Sequence, residues 1–196
     1  MNWYEERWKW CSEHRIRVLQ NPVEFKQALE VVKDKITINK ALEVGSARGG
    51  SLYILAGICA PKARIVGVDE GLRKNSGGLN AVKDQLIKDG FDTSIIFGNS
   101  GDVETSTQVG SALPDGEQFD FLHIDASHIY ESVKKDFDTY KTFVRPSGWI
   151  MFHDIKFQGV PKLWEEIKLN AAETVIISTG LNVRTCATGI GLWQKP

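Results

Sequence analysis

Five short apolar runs punctuate the middle of the chain, at 41–45, 64–69, 94–98, 119–125 and 149–155. Between them lie amphipathic stretches of helical length near 50–59, 78–89, 101–112 and 130–143. In the last stretch Tyr130, Val133, Phe137, Tyr140 and Val144 share a face. Strand-helix alternation of this kind predicts parallel strands joined by right-handed crossovers. Continuously apolar runs such as 64–69 fit strands covered on both faces.

The two ends read differently. Residues 2–14 are rich in aromatics (Trp3, Tyr4, Trp8, Trp10). A helix over 22–35 starts at Pro22 behind Asn21, a good capping pair. Its apolar face carries Phe25, Leu29, Val32 and Ile36. The aromatic cluster reads as a small satellite core in preference to a lid or a dimer surface. After a helix at 160–169 come two apolar runs, 173–179 and 189–195, with no helix between them, so they should pair antiparallel. The expected fold is α/β: a Rossmann-like, doubly wound, seven-stranded sheet, mostly parallel with a C-terminal antiparallel hairpin, and helices on both faces. Residues 1–37 form an N-terminal helical segment packed on a single domain at 38–196.

Composition narrows the function classes. At 196 residues the chain is one domain's length. Its 24 Lys and Arg against 25 Asp and Glu leave no basic surplus for a nucleic-acid partner. Three scattered cysteines (Cys11, Cys59, Cys186) make neither a disulfide framework nor a zinc knuckle, so a reducing, cytoplasmic setting is expected. No apolar run is long enough for a membrane span, and the charged N-terminus does not read as a signal peptide.

Four motifs follow strands. Glu43-Val-Gly45-Ser46-Ala-Arg-Gly49-Gly50 ends the first and opens a helix. Glycines there permit a tight turn and close ligand approach, and helix-start N–H groups favour a polar or anionic ligand. The loop alone does not separate a dinucleotide from S-adenosylmethionine. Asp69-Glu70 ends the second strand, where a carboxylate can accept both hydroxyls of a ribose. Asn99 and Ser100 follow the third, beside where a base would lie. Asp125 and Asp154 end two further apolar runs, with His128 and His153 close in sequence. If those strands are neighbours, the carboxylates meet at one sheet edge, an arrangement that is costly unless paired, solvated or holding a cation. Oxygen donors suit Mg²⁺ or another hard divalent ion.

Taken in order, "ALEVGSARGGSL", "GVDEG", "FGNSGD", "HIDASHIYESVKKDF" and "VRPSGWIMFHDI" resemble the class I S-adenosylmethionine-dependent methyltransferases. The likeness covers about residues 16–196. The nearer resemblance is to the branch holding sugar and macrolide O-methyltransferases and cephalosporin-hydroxylase-like proteins. It implies that Glu43, Gly45, Ser46, Gly49 and Gly50 line the methionine end of the cofactor. Asp69 and Glu70 would serve the ribose, and Asn99 and Ser100 the adenine. Asp125 would stand by the cofactor as a metal ligand with a catalytic part, and His128 would be the general base. Asp154 would be a second ligand, and His153, standing where the family often has an acid, a third. The implied activity is methyl transfer to a small-molecule or sugar hydroxyl, with or without a divalent metal such as Mg²⁺. A homo-oligomer is left open.

Other readings compete. A NAD(P)-dependent oxidoreductase would use the same glycine loop and Asp69, and Tyr130 and Lys134 have the Tyr-x-x-x-Lys spacing. The preceding Ser strand of such enzymes is absent. A non-catalytic Rossmann-like domain would bind a partner through its Trp-rich N-terminus. A metal hydrolase built on Asp125, His128, His153 and Asp154 would leave the glycine loop idle. Residues 71–78 form a polar loop with no assigned role.

Overall fold

A computed structural model describes residues 2–71, 76–180, 182, 184 and 186–196. The N-terminal helices are α1 (Trp3–Glu13) and α2 (Pro22–Lys35). The alternating region holds β1 (Ile38–Val44), α3 (Gly50–Leu55), β2 (Cys59–Asp69), α4 (Ser76–Lys88), β3 (Asp92–Phe97) and α5 (Val103–Gly110). It continues through β4 (Phe119–Ile124), α6 (Tyr130–Tyr140) and β5 (Val144–Phe152). The chain ends with α7 (Val160–Ile167), β6 (Thr174–Ile177) and β7 (Ile190–Gln194). Residues 72–75 of the polar 71–78 loop lie outside the described residues.

The seven strands form one sheet in the order β3-β2-β1-β4-β5-β7-β6. The first five are parallel, and β7 runs antiparallel to both β5 and β6. The strand order reverses between β1 and β4. Loops leaving those two strands diverge to opposite faces, which opens a crevice at their carboxyl ends.

Strand parity sends side chains to two apolar layers. Ala41, Phe121, Trp149 and Met151 join the layer of α1 to α4. Leu42, Val44, Leu122, Ile124, Ile150 and Phe152 join that of α5 to α7. Helix α2 shows why this sequence folds locally as it does. The Asn21 side chain accepts from the N–H groups of Val23 and Glu24, and Pro22 pre-sets the first turn. Phe25, Leu29 and Val32 are then wholly buried, each contributing about 1.5–3 kcal/mol of transfer free energy.

The aromatic N-terminus is not a satellite core. Tyr4 and Cys11 belong to the main α1–α4 layer, and Trp3, Trp8 and Trp10 pack against it. A Cβ on Gly57 would stand 2.5 Å from the Trp3 ring, so that glycine makes room for α1. Arg7 completes the dock, with its guanidinium 4.4 Å from the centre of the Tyr53 ring.

Strands β2 and β5 begin earlier than their apolar runs suggest. Between the pairs Ile38↔Cys59 and Lys40↔Arg64 the register shifts by a bulge containing Pro61 and Lys62. A matching irregularity carries Pro146 and Ser147 between Phe119↔Val144 and Phe121↔Trp149. A proline inside a paired region is tolerated at such bulges, where its missing N–H is not needed. Helices 50–59 and 130–143 correspondingly end sooner, each closing in a short 3₁₀ turn before the next strand.

Candidate active site

The crevice at the β1/β4 reversal is a cleft of about 800 Å³. Its floor is set by the contact between two loops. A Cβ on Gly45 would lie 2.2 Å from the carbonyl oxygen of Asp125, and Gly45 has φ +94°. Only glycine permits both that backbone conformation and that approach. Strand pairing aligns the neighbours: Asp125 N donates to Val44 O at 2.8 Å, and His153 N donates to Ile124 O at 3.2 Å.

On the β2 side, Asp69 joins the two glycine-bearing loops. One carboxylate oxygen accepts from Ala47 N at 2.8 Å and the other from Gly71 N at 2.9 Å. Each oxygen keeps a free lone pair for a hydroxyl donor. Glu70 accepts from the Asn99 amide at 2.7 Å, and Asn99 in turn accepts from Gly101 N at 2.8 Å. The β2 and β3 loops therefore form one hydrogen-bonded rim.

On the β4 and β5 side, Asp125, His128 and Asp154 bring one ligand atom each within 4.8 Å of one another. His128 Nε2 is 2.6 Å from Asp154 Oδ2 and 3.7 Å from Asp125 Oδ1. His153 Nδ1 stands 3.4 Å from Asp125 Oδ1 and 3.0 Å from Asp154 Oδ2. Asp154 has φ +63°, a conformation costing a non-glycine residue about 1–3 kcal/mol. Its carboxylate is thereby turned back into the cluster. The carboxylates of Asp125 and Asp154 beside it raise the His128 pKa to about 9, against opposing burial. Burial pushes His153 down, but the two carboxylates outweigh it and hold it at about 10. The imidazoles likewise overcome burial and keep Asp125 and Asp154 well below the usual carboxylate range. Two acids and two protonated imidazoles thus balance one another.

Nearly every expected site residue lines this one cleft: Gly45, Ser46, Gly50, Asp69, Glu70, Asn99, Ser100, Asp125, His128, His153 and Asp154. Two do not. Glu43 is fully buried behind it, with one oxygen 2.8 Å from His123 Nδ1. Gly49 is the left-handed residue that starts α3, φ +85°, packed toward Val82. The three residues that could hold an ion include His128 beside Asp125 and Asp154, and His153, the imidazole the sequence pointed to, stands against the same two carboxylates.

A methyltransferase domain family model matches residues 42–155, more than half of the chain and every loop just described. The chain belongs to the methyltransferase domain family. Solved structures agree on the fold of this methyltransferase. An O-methyltransferase from Bacillus cereus in complex with SAH superposes with a TM-score of 0.71 at 16% identity, covering 99% of this chain and 90% of that one. The O-methyltransferase TomG from Streptomyces achromogenes, in complex with SAM, gives 0.69 at 14% identity over 100% and 91%. The N-methyltransferase NodS from Bradyrhizobium japonicum gives 0.58 at 18% identity over 88% and 94%. An uncharacterised protein of Acanthamoeba polyphaga mimivirus is 31% identical over 129 residues, 62% of this chain. The chain spans about half the length of that curated relative.

The cleft of this methyltransferase also holds residues that motif reading overlooked. Gln20, between α1 and α2, is buried in the cleft wall and donates to Asp125 Oδ2 at 2.6 Å. Arg17 and Leu19 line the same side. Ser132, Lys135 and Asp136 come from α6, Phe157 follows β5, and Thr188 precedes β7. Asp136 had a visible signal, because it falls on the buried stripe Val133, Asp136, Phe137, Tyr140. Gln20 had none, since it sits in a connector without periodicity.

Among the described residues no helix is long and apolar enough to cross a membrane.

Proposed function

We propose that the chain is an S-adenosylmethionine-dependent O-methyltransferase acting on a small-molecule or sugar hydroxyl. The observation that carries this reading is one cleft joining the glycine loop, Asp69 and the Asp125–His128–Asp154 cluster. The cleft suits such a cofactor in its unsatisfied atoms. Ser46 Oγ and Gln20 Oε1 are buried with no hydrogen-bond partner among the described residues. Ser46 and Gln20 face a methionine-like end, and Asp69 is placed to accept from ribose hydroxyls.

S-adenosylmethionine supplies an activated methyl group on a sulfonium. The chain's own task is to hold an acceptor in line with it and to take up the acceptor's proton. Alignment of this kind contributes several kcal/mol. His128 is the one partly exposed imidazole of the cluster, so its ring is the proton acceptor in this reading, with Nε2 itself buried against Asp154. Asp125 and Asp154 orient that ring. With both carboxylates unscreened, the ring holds its own proton at neutral pH. It becomes a base when the carboxylate charge is engaged elsewhere. Two carboxylates and an imidazole are a donor set for a divalent cation such as Mg²⁺, which would engage that charge and polarise an acceptor oxygen. Gln20 holds Asp125 from the side away from His128.

Two features favour oxygen and small acceptors. The cluster provides a base, which a hydroxyl needs far more than a neutral amine does. Lysines and arginines form no stripe along the sequence, so nucleic acid is not the favoured acceptor. The test is transfer of a labelled methyl group from S-adenosylmethionine to a panel of sugar, phenol and amine acceptors, with Mg²⁺ or chelator. Labelled hydroxyl products support the reading, and labelled amines alone contradict it.

A further inference from the structure

Glu24 is a buried carboxylate that neither the apolar core nor the proposed chemistry accounts for. It stands at the third position of α2, wholly buried. A glutamate there ordinarily turns back to cap its own helix. Glu24 reaches across to the connection between β6 and β7 instead. One oxygen accepts from Thr179 N at 2.6 Å and from Thr179 Oγ1 at 3.0 Å, and the other from Gly189 N at 3.2 Å. Burying a carboxylate is costly, and these donors commit it to holding that connection in place.

The held segment leads directly to the site. Residues 188–189 pair with the two residues after Asp154: Ile155 N donates to Gly189 O at 3.2 Å, and Lys156 N to Thr188 O at 2.9 Å. Asp154 itself lies in the left-handed region, a conformation that persists only where its surroundings over-determine it. This pairing is part of those surroundings. Thr188 is buried in the cleft wall, and its hydroxyl is a hydrogen-bond partner of the Asp154 carboxylate. The other acceptor of that hydroxyl is Cys186 O at 3.3 Å, a long contact to a neutral oxygen. With one proton to give, the hydroxyl gives it to the charged group. His128 and His153 both hold Asp154 through Oδ2, which fixes one end of the carboxylate and leaves its rotation open.

We propose that Thr188 is the positioning residue of Asp154, its hydroxyl holding the carboxylate toward His128 while Glu24 keeps the Thr188–Gly189 segment in place. Helix α2 then governs one carboxylate of the cluster, and the connector before it governs the other through Gln20. The effect on rate rests on the methyl transfer proposed above, whereas the effect on geometry does not.

The test uses the full chain as wild type, Thr188→Val, Thr188→Ser and Glu24→Gln. Each is crystallised with chelator and assayed for labelled-methyl transfer to the panel of sugar and phenol hydroxyls. Thr188→Val keeps the shape and loses the donor. Its Asp154 carboxylate should turn, so that the 2.6 Å contact with His128 opens beyond about 3.2 Å, the limit of a good hydrogen bond. Thr188→Ser restores the hydroxyl and should keep the wild-type contact. Glu24→Gln can no longer accept at both ends, so it should displace Thr188 and open the same contact. Turnover should follow the geometry. It should fall about 10-fold in Thr188→Val, with acceptor KM and S-adenosylhomocysteine affinity within about twofold, and recover to within about threefold in Thr188→Ser. Thr188→Ala stands in if the valine variant does not fold. An unmoved Asp154 in the hydroxyl-free variant, or a loss that serine does not recover, overturns the role of Thr188. An unmoved Thr188 in Glu24→Gln overturns that of Glu24. An opened contact in Thr188→Val, together with no methyl transfer by the wild type to any hydroxyl, overturns the proposed function and leaves the positioning role standing.

Discussion

The amide nitrogen of Gln20 lies 2.6 Å from Asp125 Oδ2, a contact that spans 105 positions of sequence. It ties the connector between α1 and α2 to the carboxylate at the centre of the site. The N-terminal segment thus lines the candidate site as well as the core. Gln20→Ala frees Asp125 to rotate away from His128. Turnover should fall about 10-fold with acceptor KM changed little, since misplacement near the reacting atoms acts on the rate. Steady-state kinetics with any accepted hydroxyl would show it, and unchanged kcat would dismiss the positioning role.

His128 carries the proton in this account. His128→Ala should lower kcat by about 10²–10⁴-fold, the usual range for a lost general base. Affinity for S-adenosylhomocysteine should stay within a few-fold of wild type. Equal losses in both would instead make His128 a binding residue.

Asp69 holds two backbone N–H groups even without ligand. Asp69→Ala should weaken nucleoside binding by about 1–3 kcal/mol through a lost charged acceptor. It should also loosen both loops, seen as faster amide exchange at Ala47 and Gly71. Affinity equal to wild type would remove the ribose role.

Gly45→Ala tests the loop contact. The added Cβ meets the Asp125 backbone at 2.2 Å and a φ of +94°. The variant should lose about 1–3 kcal/mol or more of stability, from backbone strain alone. Denaturant unfolding is the measurement, and a stability equal to wild type would mean that the loops separate freely.

Asp136 has a pH signature. Burial raises its pKa from 3.8 to about 6. A carboxyl whose folded pKa is raised favours the folded state most when protonated. Its stabilising share is therefore full below pH 4 and lost as pH rises through about 6. The slope is about 1.4 kcal/mol per pH unit at most. Asp136→Asn removes this loss, so the variant should gain on wild type between pH 4 and 7 in thermal unfolding. Parallel stability profiles would refute it.

Much of this was legible from residues alone. Acids closing apolar strands, as at Asp69, Asp125 and Asp154, must gather at one sheet edge when the strands are parallel neighbours. The Gly45 turn announces a close approach. What the sequence hid has physical reasons. Glu43 shares strand parity with Ala41, so its side chain enters the α1–α4 layer and meets His123 instead of the cleft. Strand starts at Cys59 and Val144 were masked by Pro61 and Pro146, because a bulge turns a strand breaker into a tolerated residue. Gln20 reaches Asp125 through tertiary packing of α2, which no local pattern encodes. Asp136 stood in an apolar stripe and was readable as an anomaly.

The most direct check on the account is calorimetric titration of the purified protein with S-adenosylhomocysteine, with NAD as comparison and Mg²⁺ present or chelated. The account predicts micromolar binding of S-adenosylhomocysteine and none of NAD. NAD binding in its place, or silence from both, would contradict it.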